Sequence, residues 1–182
     1  LALTVLEIIF LLAGGMPVFD ALTTSFGTAG TGGFGIKNDS LMSYSNYLQW
    51  VVTIFMILFG VNFNAYYYIL FRNFKKAFSM EEVRCYFLII IAAIGIIFMD
   101  IIDRSASAFD ALTKVAFQVG SIITTTGFST ADFNLWPQFS KTLLFILMFI
   151  GACAGSTGGG VKVSRWVIIF KKLRSTITKV LH

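Results

Sequence analysis

Charge is scarce in this chain. Asp, Glu, Lys and Arg supply 13% of its 182 residues, where soluble domains carry about 25%. With 57% hydrophobic residues and a mean hydropathy of +0.81, that shortage excludes an ordinary soluble domain and places the chain in a bilayer. Histidine is represented once, by His182 at the C-terminal end. No His/Cys metal constellation can be assembled, and no membrane-embedded histidine is available to activate a serine nucleophile, so an enzyme is not expected. Cys85 and Cys153 are far apart in apolar surroundings and read as small hydrophobic residues. The start has neither a basic region nor a small-residue cleavage site, so no cleavable signal peptide is expected. A chain that opens on Leu1, inside an apolar run, reads as a piece of a longer polytopic protein. The net charge of +5 is read by position, as membrane orientation, and nucleic acid is not an expected partner.

What the chain does contain is a near-duplication. Phe19-Asp20-Ala21-Leu22-Thr23 recurs as Phe109-Asp110-Ala111-Leu112-Thr113. Each copy leads into a Gly-Phe loop, Thr31-Gly32-Gly33-Phe34 and then Thr125-Thr126-Gly127-Phe128, and each loop is followed by a long apolar segment. Internal repeats set the architecture. A repeated unit of apolar helix, short re-entrant helix, Gly loop and second apolar helix is how a membrane protein builds a pore lined by backbone carbonyls. The expected fold is therefore an all-α membrane protein of tandem M1–pore helix–M2 repeats, potassium-channel-like, with re-entrant filter loops. Residues 1–84 form the first repeat with its cytoplasmic linker, and residues 85–182 the second, with a broken M2 helix and a basic tail.

Residues 47–71 are long enough to cross ~30 Å of hydrocarbon at about 1.5 Å per residue and read as one continuous span. Residues 85–99 span once extended to Glu82 and to Asp103 or Arg104 at the interfaces. Residues 142–161 are a third charge-free run, and residues 1–16 a fourth, interrupted by Glu7. Glu7 reads equally as an ion-pathway residue or an interfacial one. Residues 18–29 and 107–122 are too short and polar to span and read as pore helices. Asp20 and Asp110 lie near their positive ends, and Pro17 fits a first-turn position. Arg72, Lys75, Lys76 and Arg84 fall on the same side as Lys171, Lys172, Arg174 and Lys179, taken as the cytoplasm. Trp50, Trp136, Tyr44 and Tyr47 fit an outer aromatic belt.

Two motifs carry chemistry. A desolvated cation needs oxygens in place of its water shell, and backbone carbonyls supply them. Gly33 and Gly127 provide the conformational freedom. The ion-facing carbonyls are expected at Thr31, Gly32, Thr125 and Thr126, with Phe34 and Phe128 closing the filter segments. The second motif is Cys153-Ala154-Gly155-Ser156-Thr157-Gly158-Gly159-Gly160, which interrupts a run that must otherwise span. It reads as a flexible gate. Residues 60–64 of the first copy are not Gly-rich, so the device is expected in the second copy alone. Gly30 to Gly35 match a dinucleotide-binding pattern by letter but follow no strand. The phosphate-loop pattern fails because Val161 separates Gly160 from Lys162.

Residues 124–137 and 155–162, with their TTTGFSTADFNLWP and GSTGGGVK sequences, resemble the bacterial TrkH/KtrB-type potassium-uptake subunits of the Trk/Ktr/HKT superfamily. The resemblance implies four fused M1–P–M2 units around one pore, of which this chain holds the second and third. Gly33 and Gly127 then match filter glycines, and residues 153–160 the intramembrane gating loop of the third unit. It also implies potassium (or sodium/potassium) as the transported ion, no cofactor, and the inner (plasma) membrane as location. The implied partners are the remaining units, a homodimer, a gate arginine from the fourth unit and a cytoplasmic nucleotide-binding ring. That ring would dock on the basic tail and residues 72–84. Two alternatives stand beside this reading. One is a secondary transporter with a discontinuous helix at its substrate site, which predicts inverted repeats where these copies run in the same order. The other is a non-conducting assembly fragment.

Overall fold

The computed structural model describes residues 1–102 and 107–181. Asp103, Arg104 and His182, singled out in the sequence, lie outside the described residues. Within them every regular element is helical. The order is α1 (Ala2–Ala13), α2 (Val18–Ala29), α3 (Asn46–Phe59), α4 (Phe63–Leu70), α5 (Phe74–Ser79), α6 (Glu81–Ile101), α7 (Ala108–Ile123), α8 (Gln138–Ile150) and α9 (Val163–Leu181). A 3-10 turn, Phe133–Leu135, precedes α8.

The duplication seen in the sequence is a duplication of packing. α1, α2 and α3 contact one another, and so do α6, α7 and α8. The two trios join chiefly through α3 against α7. Leu11, Ala21, Val52 and Met56 form the first core, into which Phe117 and Phe128 of the second trio also insert. Tyr86, Ile90, Ile97, Val115, Ile123 and Leu147 belong to the second core. The outward faces stay apolar: Val5 and Ile9 on α1, Leu88 and Ile91 on α6, Phe145 and Met148 on α8 are all exposed. That is the pattern of helices solvated by lipid.

The re-entrant helices form where the repeated pentapeptide predicts them. α7 has 16 residues against 12 in α2. The four extra residues are close to one helical turn, so both helices present the same face at their C-terminal ends. Pro17 is the residue before α2, not its first turn, with φ −55° and ψ 146°. Ser107 accepts the Asp110 amide and starts α7.

The largest difference from the sequence reading lies in the long apolar runs. Among the described residues, α6 alone is long and apolar enough to cross a membrane by itself. Residues 47–71 are not one span: α3 and α4 meet at a 93° bend. Residues 142–161 likewise stop being helical at Gly151, whose φ is 70°. The expectation that only the second copy carries a break is therefore wrong. Asn62 explains the first break: its side chain accepts the Asn64 amide at 2.9 Å and starts a new helix, as a capping asparagine does. The carbonyls freed by the break are then satisfied from outside the helix. Tyr66 Oη donates to Leu58 O at 2.7 Å and Tyr86 Oη to Ile57 O at 3.1 Å. Such partners are what allow a helix to stop at membrane depth.

Candidate functional site: two facing loops and an intramembrane segment

Both Gly-Phe loops leave their helices in the same way. The Thr31 amide donates to Thr28 O at 3.2 Å and the Gly32 amide to Gly27 O at 2.8 Å. At the matching positions Thr125 donates to Ile122 O at 3.0 Å and Thr126 to Ser121 O at 2.9 Å. This is the paired bonding of a Schellman cap, whose left-handed residue is usually glycine. Here it is threonine in both loops, with φ 51° at Thr31 and 58° at Thr125. A β-branched residue in that region is a genuine outlier. Two at one register mark strain held in place by the surroundings. Gly33 and Gly127 follow at φ 67° and 94°.

The cap turns the loop amides back toward the helix. Among the described residues, the carbonyl oxygens of Thr31, Gly32, Thr125 and Thr126 accept no hydrogen bond. The loops also meet. A methyl group on Gly33 would fall on the Thr126 carbonyl, and one on Gly127 would come within 4.0 Å of Gly33 Cα. Ser121 braces the second loop, donating to Phe128 O at 2.6 Å and accepting the Gly127 amide at 3.1 Å. Phe128 is 1% exposed and packs on Gly27 of the first trio, whereas Phe34 is 87% exposed.

The segment after α8 lies against both loops. Thr31 Oγ1 donates to Thr157 O at 3.2 Å, and the Gly159 amide donates to Thr125 Oγ1 at 2.6 Å. Gly158 packs on Ala152 and the Thr124 carbonyl. Lys162 turns back to donate to Gly158 O. The two helix breaks are stitched together as well: the Cys153 amide donates to Gly60 O at 3.0 Å and the Phe63 amide to Gly155 O at 3.1 Å. Cys153 is fully buried. Ser156 Oγ donates to Cys153 O at 2.6 Å, so it serves the local turn. The structure thus brings Thr31, Thr125, Gly33 and Thr126 together with Thr157, Gly158 and Gly159.

Several polar residues make contacts that their sequence readings did not specify. Glu82, read as a span boundary, reaches the Ala154 amide with one carboxylate oxygen and Asn62 Nδ2 with the other at 3.2 Å. Only an acid at the head of a span signalled it. Glu7 is fully buried within the protein, and neither carboxyl oxygen has a hydrogen-bond partner among the described residues. Trp50 and Tyr44 also make specific side-chain bonds. Trp50 Nε1 donates to Thr113 Oγ1 at 2.9 Å, tying α3 to α7. Tyr44 Oη donates to Asp20 Oδ2 at 2.6 Å. Burial, then that hydrogen bond and the negative charge of Asp20, push the Tyr44 hydroxyl up to about 12. Asp110 pairs with Lys114 at 2.7 Å. At the other end, Lys171 on α9 pairs with Glu81.

Two trios of helices, each with a re-entrant member whose loop faces its counterpart, define an all-helical membrane protein of the potassium-channel-like kind. The chain belongs to the TrkH family, described as a cation transport protein, whose sequence pattern matches residues 3–182. It is similar to the Trk system potassium uptake protein TrkH of Salmonella typhimurium, 35% identical over 187 residues, covering 99% of this chain and 38% of that protein. The protein of the same description from Escherichia coli is 33% identical over the same shares. The crystal structure of the potassium transporter TrkH from Vibrio parahaemolyticus has a TM-score of 0.92 and 30% identity. It covers 100% of this chain and 40% of that one. The chain therefore spans about 38% of the length of the curated relatives it matches.

Proposed function

We propose that these residues form part of a potassium-transport path across the cytoplasmic membrane, lined by the carbonyls of the two facing loops. Thr31, Gly32, Thr125 and Thr126 supply oxygens to the ion, Gly33 and Gly127 permit the backbone turn, Phe128 anchors its loop, and Phe34 closes the other filter segment. The observation that carries this reading is the matched left-handed backbone at Thr31 and Thr125, with four carbonyls left without donors. A cation that has shed its water takes up such oxygens. The C-terminal ends of α2 and α7 add partial negative charge at the same place.

Cys153, Ala154, Gly155, Ser156, Thr157, Gly158, Gly159 and Gly160 act as the gate. Their contacts with Thr31 and Thr125 support this reading, because a segment bonded to both loops stands across the path below them. Residues 1–84 and 85–182 are two of four M1–P–M2 units, and the part of the relatives that the chain does not span leaves room for the other two. The exposed Phe34 offers an adjoining unit the seat that Phe128 takes in the first trio. Homodimer formation and a cytoplasmic nucleotide-binding ring on the basic face of α9 and residues 72–84 belong to the same proposal. The broken helices at residues 60–62 and 151–162 also suit a transporter with a discontinuous helix at its substrate site. The copies run in the same order, which favours the channel-like reading. Flux into proteoliposomes, comparing potassium with sodium in a protein of the relatives' full length carrying these residues, tests it. Gly127→Ser is expected to reduce the preference between the ions, and unchanged preference counts against the filter.

A further inference from the structure

We propose that Glu82 is the positioning residue of the intramembrane segment, holding the two helix breaks together and the gate shut. This rests on the gate reading above. One carboxylate oxygen accepts the Ala154 amide from the α8–α9 break, and the other accepts Asn62 Nδ2 from the α3–α4 break at 3.2 Å. Both donors belong to segments that have left their helices and need acceptors at membrane depth.

The rest of the contact set shows why this bridge matters. Asn62 cannot turn over freely, because its Oδ1 is committed to the Asn64 amide at 2.9 Å. Gly155 packs against that same oxygen. Ala154 and Gly155 lie in the stretch whose next residues reach Thr31 and Thr125. Loss of the bridge therefore leaves the upstream end of the segment held only by the backbone bonds of Cys153 to Gly60 and of Phe63 to Gly155, while its downstream bonds to the loops remain. The neighbouring residue, Glu81, is the one paired with Lys171 of α9. The bridge thus stands beside the contact between α6 and the basic helix, where a displacement of α9 is felt first. A hydrogen bond to a charged group contributes more than a neutral one, so removing the charge is the sharper perturbation.

The polarity of the bridge gives a test that a purely structural role would not pass. Glu82→Gln keeps one acceptor but turns an amide against the Asn62 amide. Adding Asn62→Asp restores both bonds with one of them reversed, and Asp still caps Asn64. The probe is the rate per thiolate at which N-ethylmaleimide modifies Cys153, taken from the pH dependence of the reaction so that the change of charge at residues 82 and 62 is separated from access, in a protein of the relatives' full length with its other cysteines replaced. Glu82→Gln is expected to speed modification about tenfold or more, and Asn62→Asp with Glu82→Gln to return it close to the starting rate. An unchanged rate in Glu82→Gln, or an acceleration that the double variant fails to reverse, overturns the bridge. Deleting residues 158–160 and measuring potassium flux tests the gate separately. If flux rises but Glu82→Gln leaves Cys153 protected, the gate stands and the bridge falls. If Cys153 opens as described while the deletion leaves flux unaltered, the bridge stands and the gate falls.

Discussion

Gly33 and Gly127 hold matching positions yet respond to different constraints. At φ 67° and 94° both sit where an L side chain is strained, at about 1–2 kcal/mol per residue. Gly33 has a second constraint, since a methyl group there would fall on the Thr126 carbonyl, while Gly127 has room. Gly33→Ala is therefore predicted to push the loops apart and lose ion discrimination more completely than Gly127→Ala. The potassium-to-sodium flux ratio of each variant checks the order. Tyr44 offers a test by titration. Its hydroxyl is raised to about 12, so the folded state favours the protonated form. The stability this gives is complete below the unfolded value of about 10 and disappears as pH rises from there through about 12. Tyrosinate absorbance compared between the protein and Tyr44→Phe should show the loss of a component that ionises near that pH. The glycines and the repeated threonines were legible in the sequence as members of a loop. That Thr31 and Thr125 would be left-handed was not, because propensity puts glycine at that position of a helix cap.

At the scale of the element, a helix that stops within a bilayer needs partners for its free carbonyls. α3 finds them in Tyr66 and Tyr86. A methyl group on Gly60 would fall on the Tyr86 hydroxyl and crowd the Thr124 methyl. Gly60→Ala is predicted to destabilise by about 1–3 kcal/mol through overpacking, and Tyr86→Phe in the same chain should recover part of that. A double-mutant cycle on thermal stability measures the coupling; strictly additive losses would contradict the packing. For the second break, deletion of residues 158–160 is expected to raise basal ion flux. The re-entrant helices were readable because their pattern repeats and their length falls short of a span. The breaks were only half readable. Glycine density flagged residues 151–160, whereas the first break depends on a single capping asparagine and two tyrosines distant in sequence. Composition cannot distinguish Asn62 from any other polar residue in an apolar run.

For the molecule as a whole, α3 against α7 is the joint that brings two loops, residues 31–34 and 125–128, to one place. Trp50 and Thr113 tie that joint, Thr53 and Ile57 close on Gly120 within it, and Phe128 packs on Gly27 of α2 beside it; the sequence marked Trp50 for a belt and Phe128 for the filter, and neither as an interface. The duplicated order of elements was legible, and the TrkH-family pattern over residues 3–182 follows the same residues. The account's central claim is that the unpaired carbonyls of the two loops receive a potassium ion. Crystals of a protein of the relatives' full length carrying these residues, grown in rubidium, test it directly through anomalous scattering. The account predicts a peak on the axis where the carbonyls of Thr31, Gly32, Thr125 and Thr126 converge, lost in Gly33→Ala. Ordered loops with no peak at that place, and rubidium bound elsewhere along the path, would contradict it.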